Sequence, residues 1–455
     1  MTKKIYAMMA ALALTATAEA GGLMTNTNYH IAFDRMMARG ATMDIDAAYS
    51  NPAGLAWGYD GLQLSLNFQK PWQNRDIECN GTKYPGEASA PIVPALFGSY
   101  KHDRWAVSTM IGIVGSGGFV KFENGVPMFS VPIGALLAQN PAAAGYTLDT
   151  EMKGKQYIYG GQLNFTYKLT DFLSAAVGLR ANYYDGYYRG HLEAKLPDYS
   201  SVWPGKLVNL QLDCNQKGWG FAPIVSLNYH QGPLTLAARY EFRTKIQTEN
   251  DTKELIVGTM GQDTDVKAMA EKMGNAATVA ALGQTALGAM ASKIGEYLPD
   301  EKTRYDMPAL LAVAVGYEIT PQLRATLEYH FFDDKNAKMG NDRQDELTHG
   351  THEFLAGLEY DINDKVTLSC GGQRTDYGLS DTYQTNTSFA CDSYSLGLGA
   401  AINLTEKMRL NVSYFCSLYS DYTVESSNYL GTGVAGTDVY SRTNHVIGVG
   451  IDYKF

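Results

Sequence analysis

The sequence predicts an all-β fold: a 14-stranded antiparallel transmembrane β-barrel with an N-terminal hatch, or plug, inside its lumen. Three observations carry this expectation. Segments that alternate apolar and polar residues recur along the chain. The connections between them alternate strictly between short and long. A short apolar leader opens the chain, and no later run reaches the roughly 18 apolar residues that a membrane-spanning helix needs.

The leader comes first. Lys3 and Lys4 form a positive start, Ile5 to Ala16 is apolar, and Ala18-Glu19-Ala20 places small residues where a signal peptidase reads them. Residues 1–20 therefore read as a signal peptide cleaved before Gly21, the alternative being a retained anchor helix. No cysteine follows the cleavage point to take a lipid. The 455 residues carry a net charge of −10, which argues against nucleic acid as a partner, because phosphate binding needs a basic surface. Tyrosine (31) and glycine (46) are abundant and charged residues make up only 18%, a composition suited to pleated strands with apolar neighbours.

Residues 21–60 are not strand-like. Rich in Gly, Ala, Met and Asn, they lead into Tyr49-Ser50-Asn51-Pro52-Ala53-Gly54-Leu55-Ala56. Pro52 fixes its own φ and pushes Asn51 out of helix, while Asn51 and Gly54 suit tight turns. About 40 residues cannot build an independent core. They can fold inside a polar lumen, where irregular backbone finds partners.

Residues 61–455 read as the barrel. Leu323, Ala325, Leu327, Tyr329 and Phe331 share one face, and Arg324, Thr326, Glu328 and His330 share the other. Comparable segments are expected at 61–69, 91–101, 104–114, 155–168, 171–189, 218–230, 233–247, 307–318, 322–333, 351–361, 364–377, 391–403, 407–421 and 443–455. Short links fall at His102-Asp103, Leu169-Thr170, Gln231-Gly232, Ile319 to Pro321, Ile362-Asn363 and Leu404 to Glu406; the links 115–154, 190–217 and 248–306 are long. Outer-membrane barrels have short periplasmic turns, long extracellular loops and an even number of strands, whereas a soluble sandwich gives no reason for such parity. The expected location is the bacterial outer membrane, with lipid and lipopolysaccharide around the wall. The last strand ends on Phe455, which resembles the signal by which the barrel assembly machinery recognises its clients. Within 248–306 a helical insertion is expected at about 264–298, where Val266, Met269, Met273, Leu287, Met290 and Leu298 keep helical spacing. Its apolar face either packs on its own loop or lends Met269, Met273, Leu287 and Met290 to a ligand groove.

No cofactor or metal is implied. Cys79, Cys214, Cys370, Cys391 and Cys416 show no CxxC spacing, and a Cys79–Cys214 disulfide competes with simple buried thiols. Asp333 and Asp334 are an acidic loop pair that could attract Ca²⁺. His102, His230, His330, His352 and His445 come without a recognisable nucleophile motif, so no enzyme is expected.

The segment from Gly40-Ala41 through Asp46-Ala47-Ala48-Tyr49-Ser50-Asn51-Pro52-Ala53-Gly54 resembles the N-terminal hatch of the FadL-type outer-membrane transporters of long-chain fatty acids and other hydrophobic compounds. The resemblance continues at Trp105-Ala106-Val107 through Gly115-Ser116-Gly117-Gly118, at Lys121 to Pro127, at Met307-Pro308 through Gly316-Tyr317, and in the last strand. It implies a hydrophobic small-molecule ligand taken up passively, a hatch motif at Asn51, Pro52, Ala53 and Gly54, and lateral exit through a gap at a kinked third strand. Glycine inside a strand weakens pairing, which makes Gly112, Gly115, Gly117 and Gly118 the candidate gate; the same glycines would also suit a turn into 115–154. Arg180, Arg239, Arg324 and Arg409 are expected to face inward and serve an internal charge network, so no residue is assigned to a ligand head group. A non-transport adhesin or structural barrel and a general porin are the competing functions.

Overall fold

The computed structural model describes residues 24–25, 28–90, 92–138, 145–196, 206–259, 261–284 and 291–455. The leader, residues 1–20, lies outside them. Among the described residues fourteen strands follow one another around a closed antiparallel barrel: β1 (Gly61–Cys79), β2 (Val93–His102), β3 (Trp105–Phe122), β4 (Thr147–Lys168), β5 (Leu173–Lys195), β6 (Lys206–Gln231), β7 (Leu234–Glu241), β8 (Leu310–Glu318), β9 (Leu323–Phe332), β10 (Thr351–Asn363), β11 (Val366–Asp376), β12 (Ser393–Asn403), β13 (Met408–Tyr419) and β14 (Gly436–Lys454). The barrel closes where β14 pairs with β1, in register from Gln63↔Lys454 to Cys79↔Asp438.

The side-chain alternation follows from closure. On β1, Leu62, Leu64, Leu66 and Phe68 point outward and are exposed, while Gln63, Ser65, Asn67 and Gln69 point inward and are buried. A cylinder in lipid inverts the polarity of a soluble protein: acyl chains take the apolar face and the bore takes the polar one. Tyr100, Tyr167, Phe172, Tyr317, Tyr360, Tyr453 and Phe455 are exposed aromatics close to the short turns, as expected of a girdle at a membrane interface. The Phe455 amide donates to the Leu62 carbonyl at 2.9 Å, and its own carbonyl accepts from the Tyr59 hydroxyl at 2.8 Å.

Each expected strand is present, but the long loops are shorter than periodicity suggested. β1 runs on to Cys79, β3 to Phe122 and β5 to Lys195, while β4 starts at Thr147, β6 at Lys206 and β14 at Gly436. These extensions rise past the membrane. There the outward face no longer needs to be apolar, so the alternation fades although the ladder continues. The glycines at 115–118 thus lie within β3 and do not turn into a loop.

The insertion between β7 and β8 begins with an antiparallel pair, Gln247–Thr259 with Gln262–Asp265. Short helices follow at Val266–Met273, Asn275–Gly283 and Ala291–Gly295. A single helix over 264–298 is interrupted at Gly274, whose φ of 84° is left-handed. A further helix that the periodicity reading missed, α3 (Pro127–Ala138), sits between β3 and β4 at the extracellular mouth. Its sequence PMFSVPIGALLA is apolar on all sides, the mark of a buried helix. Met128, Phe129 and Ile133 pack into an apolar cluster with Leu192, Leu210, Leu212 and Ile294.

The N-terminal segment lies inside the lumen. It contains α1 (Ile31–Met36), α2 (Ala47–Ser50) and a 3₁₀ turn (Pro52–Trp57). Inward glycines make the bed for α1: Gly357, Gly371 and Gly397 face one another across β10, β11 and β12. A Cβ at any of the three would lie within 2.4 Å of a backbone carbonyl oxygen of Asp34 or Met36. All five cysteines are free thiols, and Cys79 and Cys214 are both buried without a disulfide between them.

Candidate functional site

The segment around Asn51, Pro52 and Ala53 is held from three strands. Asn51 Nδ2 donates to Asn228 Oδ1 at 3.0 Å and the Ala53 amide donates to Ser226 Oγ at 3.0 Å, both on β6. Thr166 on β4 donates to the Pro52 carbonyl at 2.8 Å, and Ser174 on β5 donates to the Ala53 carbonyl at 2.6 Å. Gln162 and Asn164 on β4 both donate to the Ala48 carbonyl at 3.0 Å. Gly54 is required by close approach: a Cβ there would lie 2.3 Å from the Thr42 carbonyl oxygen. An irregular backbone that lipid could not satisfy is thus satisfied by inward polar side chains of the wall.

Charge is concentrated toward the periplasmic end of the bore. Arg35 pairs with Glu359 at 2.8 Å, Arg39 with Asp46 at 2.7 Å, and Arg409 with Asp44 at 3.4 Å. Arg324 binds Asp361 through both terminal nitrogens, at 2.5 and 3.0 Å. Higher up, Arg180 and Arg239 converge on Glu241 at 2.8 and 2.9 Å. The four arginines singled out in the sequence are therefore partnered within the protein. The side of the N-terminal segment nearest β2–β4 differs. There Ile45, Ala47 and Leu55 pack with Ala95, Phe97, Met110, Val114 and Ile158.

The third strand departs from regular pairing along one edge. β4 accompanies β3 along its whole length, from Trp105↔Tyr167 to Phe122↔Met152, with register shifts at Ile113/Gly115 and Ser116/Gly118. On its other edge β3 pairs with β2 only from Trp105↔His102 to Ile111↔Leu96. Beyond that, among the described residues, a single pairing resumes at Lys121↔Glu87. Gly112, Gly115, Gly117 and Gly118 all lie in the stretch that lacks a partner toward β2. The bulges leave Val114 and Gly117 as the extra residues, and Gly118 takes a φ of 78°. The Gly118 amide is satisfied locally by Ser116 Oγ at 2.8 Å. Two bulges in five residues bend a strand away from its neighbour.

Behind this interruption lies a cavity of about 110 Å³, room for several waters or a small ligand group. Ser116, Gly118 and Phe119 form its wall-side border, and Tyr29, Phe33 and Asp34 of the N-terminal segment border it from below. Its remaining lining includes Arg75, Tyr157, Tyr377, Tyr419 and Arg442. None of these five was singled out in the sequence. The signal existed: continuing the inward set Gln63, Ser65, Asn67, Gln69 by twos reaches Gln73 and Arg75, and counting back from Val446 on β14 reaches Asn444 and Arg442.

The helical insertion contributes differently from expectation. Val266 and Ala270 are buried, whereas Met269 is half-buried and Met273 is exposed. Leu287 and Met290 lie outside the described residues. A small apolar cavity of about 20 Å³ at the extracellular end is lined instead by Phe129, Met152, Leu192, Leu210, Leu212 and Ile256, among others. No group of His, Cys, Asp and Glu suited to a metal occurs among the described residues. Asp334, one of the acidic pair considered for Ca²⁺, accepts the Thr351 amide at 2.9 Å.

Residues 267–455 match the family described as outer membrane protein beta-barrel domain. No curated protein matches the sequence. Among solved structures the chain is similar to a Pseudomonas aeruginosa FadL homologue, at 13% identity and a TM-score of 0.70, covering 95% of this chain and 99% of that one. It is similar to the Pseudomonas putida toluene transporter TodX at 13% identity and a TM-score of 0.61, covering 95% and 100%. It is also similar to the Ralstonia pickettii toluene transporter TbuX at 13% identity and a TM-score of 0.55, covering 95% and 99%. At such identity the likeness is one of fold. The closed barrel and the matched domain make this chain a β-barrel of the bacterial outer membrane.

Proposed function

We propose that this outer-membrane barrel takes up hydrophobic small molecules, long-chain fatty acids or similar lipophiles, by passive diffusion, and releases them sideways through the wall between β2 and β3. The observation that carries the reading is the coincidence of three features at one place: the partnerless edge of β3 beyond Ile111, the glycine bulges, and the cavity behind them. Solved structures with this fold include a FadL homologue and two toluene transporters, which supports a lipophilic ligand.

The charge distribution argues for a lateral route. An axial path would take an apolar molecule past the ion pairs of Arg35, Arg39, Arg324 and Arg409, which line the periplasmic vestibule. Displacing apolar groups into a hydrated, charged passage forfeits about 25 cal/mol for each Å² left in water. A path to the β2–β3 edge runs past Phe33, Phe119, Val93 and Val446 and ends in acyl chains. Residues 28–58 act in this scheme as a hatch that denies the bore to polar solutes.

The test is transport into a host strain that lacks its own lipophile uptake. Expression of the chain should restore uptake of oleate or toluene, and deleting residues 21–56 should raise single-channel conductance. Uptake that is not restored by expression, or conductance unchanged by the deletion, would sink the proposal in favour of an adhesin or an open porin respectively.

A further inference from the structure

Resting on the reading of residues 28–58 as the barrier in the bore, we infer that His330, Glu328 and Glu353 form a proton-operated latch, which holds the N-terminal segment to the barrel wall and lets it go as pH rises. The three side chains meet on the lumen face of β9 and β10. His330 Nε2 lies 2.7 Å from Glu328 Oε1, and its Nδ1 lies 2.9 Å from Glu353 Oε2. Both carboxylates are buried, and the imidazole is nearly so. The second oxygen of Glu328 accepts the Gly40 amide at 2.8 Å. One carboxylate thus touches the imidazole and the N-terminal segment at once. Gly40 is seated closely there: a Cβ on it would lie 2.7 Å from both Ala314 Cβ and Glu328 Oε1. Its neighbours Arg39 and Ala41 line the periplasmic vestibule, so this contact belongs to the vestibule's ceiling.

Proton counting makes the contact conditional. An ionised carboxylate only accepts, and a neutral imidazole carries a single N–H. Two N···O contacts of hydrogen-bond length need two protons among the three groups, wherever each proton sits. The barrel register shows what surrounds them. The inward row through His330 runs from Arg239 on β7 through Ala312 on β8 to Glu353 on β10 and Thr375 on β11. Arg239 pairs with Glu241, which Arg180 also binds. Next to the three groups β8 presents Ala312 and Ala314, β11 presents Gln373 and Thr375, and the N-terminal segment presents the Gly40 amide. With its second proton the triad completes a balance of Arg180, Arg239 and His330 against Glu241, Glu328 and Glu353. Without it, a nitrogen lone pair faces a carboxylate oxygen and one buried negative charge has no counterpart, an arrangement burial makes costly. The repulsion moves Glu328. Glu353 is anchored to the wall by Gln373 Nε2 at 2.5 Å and Thr375 Oγ1 at 3.1 Å. The hydrogen bonds of Glu328, among the described residues, are those to the imidazole and to Gly40. When Glu328 turns away, Gly40 loses its acceptor and the vestibule ceiling loosens.

The measurement is planar-bilayer conductance of the whole protein from pH 6 to pH 9, with hydrogen exchange at the Gly40 amide corrected for its intrinsic rate. Channel opening should rise at least about fivefold over that range, the low end of what coupling between two sites gives. Protection of Gly40 should fall with the same midpoint. Glu353→Gln should abolish the pH response and keep Gly40 protected at pH 9, because the glutamine amide supplies an N–H to the imidazole and the second proton is no longer needed. Opening and Gly40 exchange that stay constant with pH in the unaltered protein, or an E353Q variant that responds as the parent does, overturn the latch. The unaltered protein gives its answer without any variant, so a folding defect does not shelter the idea. Conductance unchanged by deleting residues 21–56, with Gly40 protection still falling as pH rises, would remove the barrier reading and support the latch. Conductance raised by that deletion but constant with pH, with Gly40 protected throughout, would remove the latch alone.

Discussion

Gly371 of β11 faces the carbonyl oxygen of Met36 so closely that a Cβ on residue 371 would lie 1.8 Å from it. The last turn of α1 is therefore seated directly on the backbone of the wall. Neighbouring Gly357 and Gly397 extend the same shelf.

Replacing Gly371 by Leu should unseat the N-terminal segment while leaving the barrel closed. Overpacking of this kind costs about 1–3 kcal/mol, and here the segment is the softer partner. Planar-bilayer recordings should show larger or noisier conductance than the unaltered protein, with normal heat-modifiable migration on gels. Unchanged conductance would mean that α1 shifts without opening the bore.

Asn51 and Asn228 form the matching contact on the opposite side of the lumen. Asn228→Leu should leave the Asn51 amide buried and unpaired, at about 1–3 kcal/mol. Combined with Ser226→Ala, which removes the acceptor for the Ala53 amide, it should increase protease access to residues 40–60. A cleavage rate equal to that of the parent protein would argue that the β4 and β5 contacts suffice alone.

Filling the β3 edge tests the gate. Gly115→Val, Gly117→Val and Gly118→Val together should slow lipophile uptake several-fold without unfolding the barrel. Gly118→Val alone carries an extra backbone cost of about 1 kcal/mol, because its φ of 78° is left-handed. A triple variant with parental uptake rates would move the exit elsewhere.

Asp334 provides a pH signature outside the membrane. It is buried at the start of the β9–β10 loop, and desolvation pushes its carboxyl up to about 6 despite its hydrogen bonds to Thr351. A folded value above the unfolded one means that the native state holds the proton more tightly. Its favourable contribution is complete below pH 4 and disappears as pH rises through about 6. Urea unfolding in detergent should therefore show this loop gaining about 1–3 kcal/mol between pH 7 and pH 4. Asp334→Asn should gain a similar amount at pH 7 and flatten the dependence. A variant less stable than the parent at pH 7 would show that the ionised form is the one the loop needs.

Much of the architecture was legible because lipid imposes a rule that needs only local sequence. Leu327 and Tyr329 must face acyl chains while Thr326 and Glu328 must not, so alternation alone locates β9, and the parity of short links orders all fourteen strands. Where lipid ends the rule lapses, which is why β3 beyond Val114 and the upper half of β6 escaped it. The all-apolar run of α3 was hidden for the related reason that it has no polar face to give it a period.

The site was legible only in part. Gly112, Gly115, Gly117 and Gly118 announced a weak strand, but whether they end β3 or bend it depends on what stands beside them. Arg75 and Arg442 are 367 positions apart, and nothing local marks either as unusual. By itself the sequence determined the strand count, the inside and outside of each strand, and the presence of a segment unable to fold on its own. Only closure of the cylinder decided the rest: it set β14 against β1, placed Arg75 opposite Arg442, and left one edge of β3 unpaired. Register across a seam is a property of the whole ring, and no window of sequence contains it.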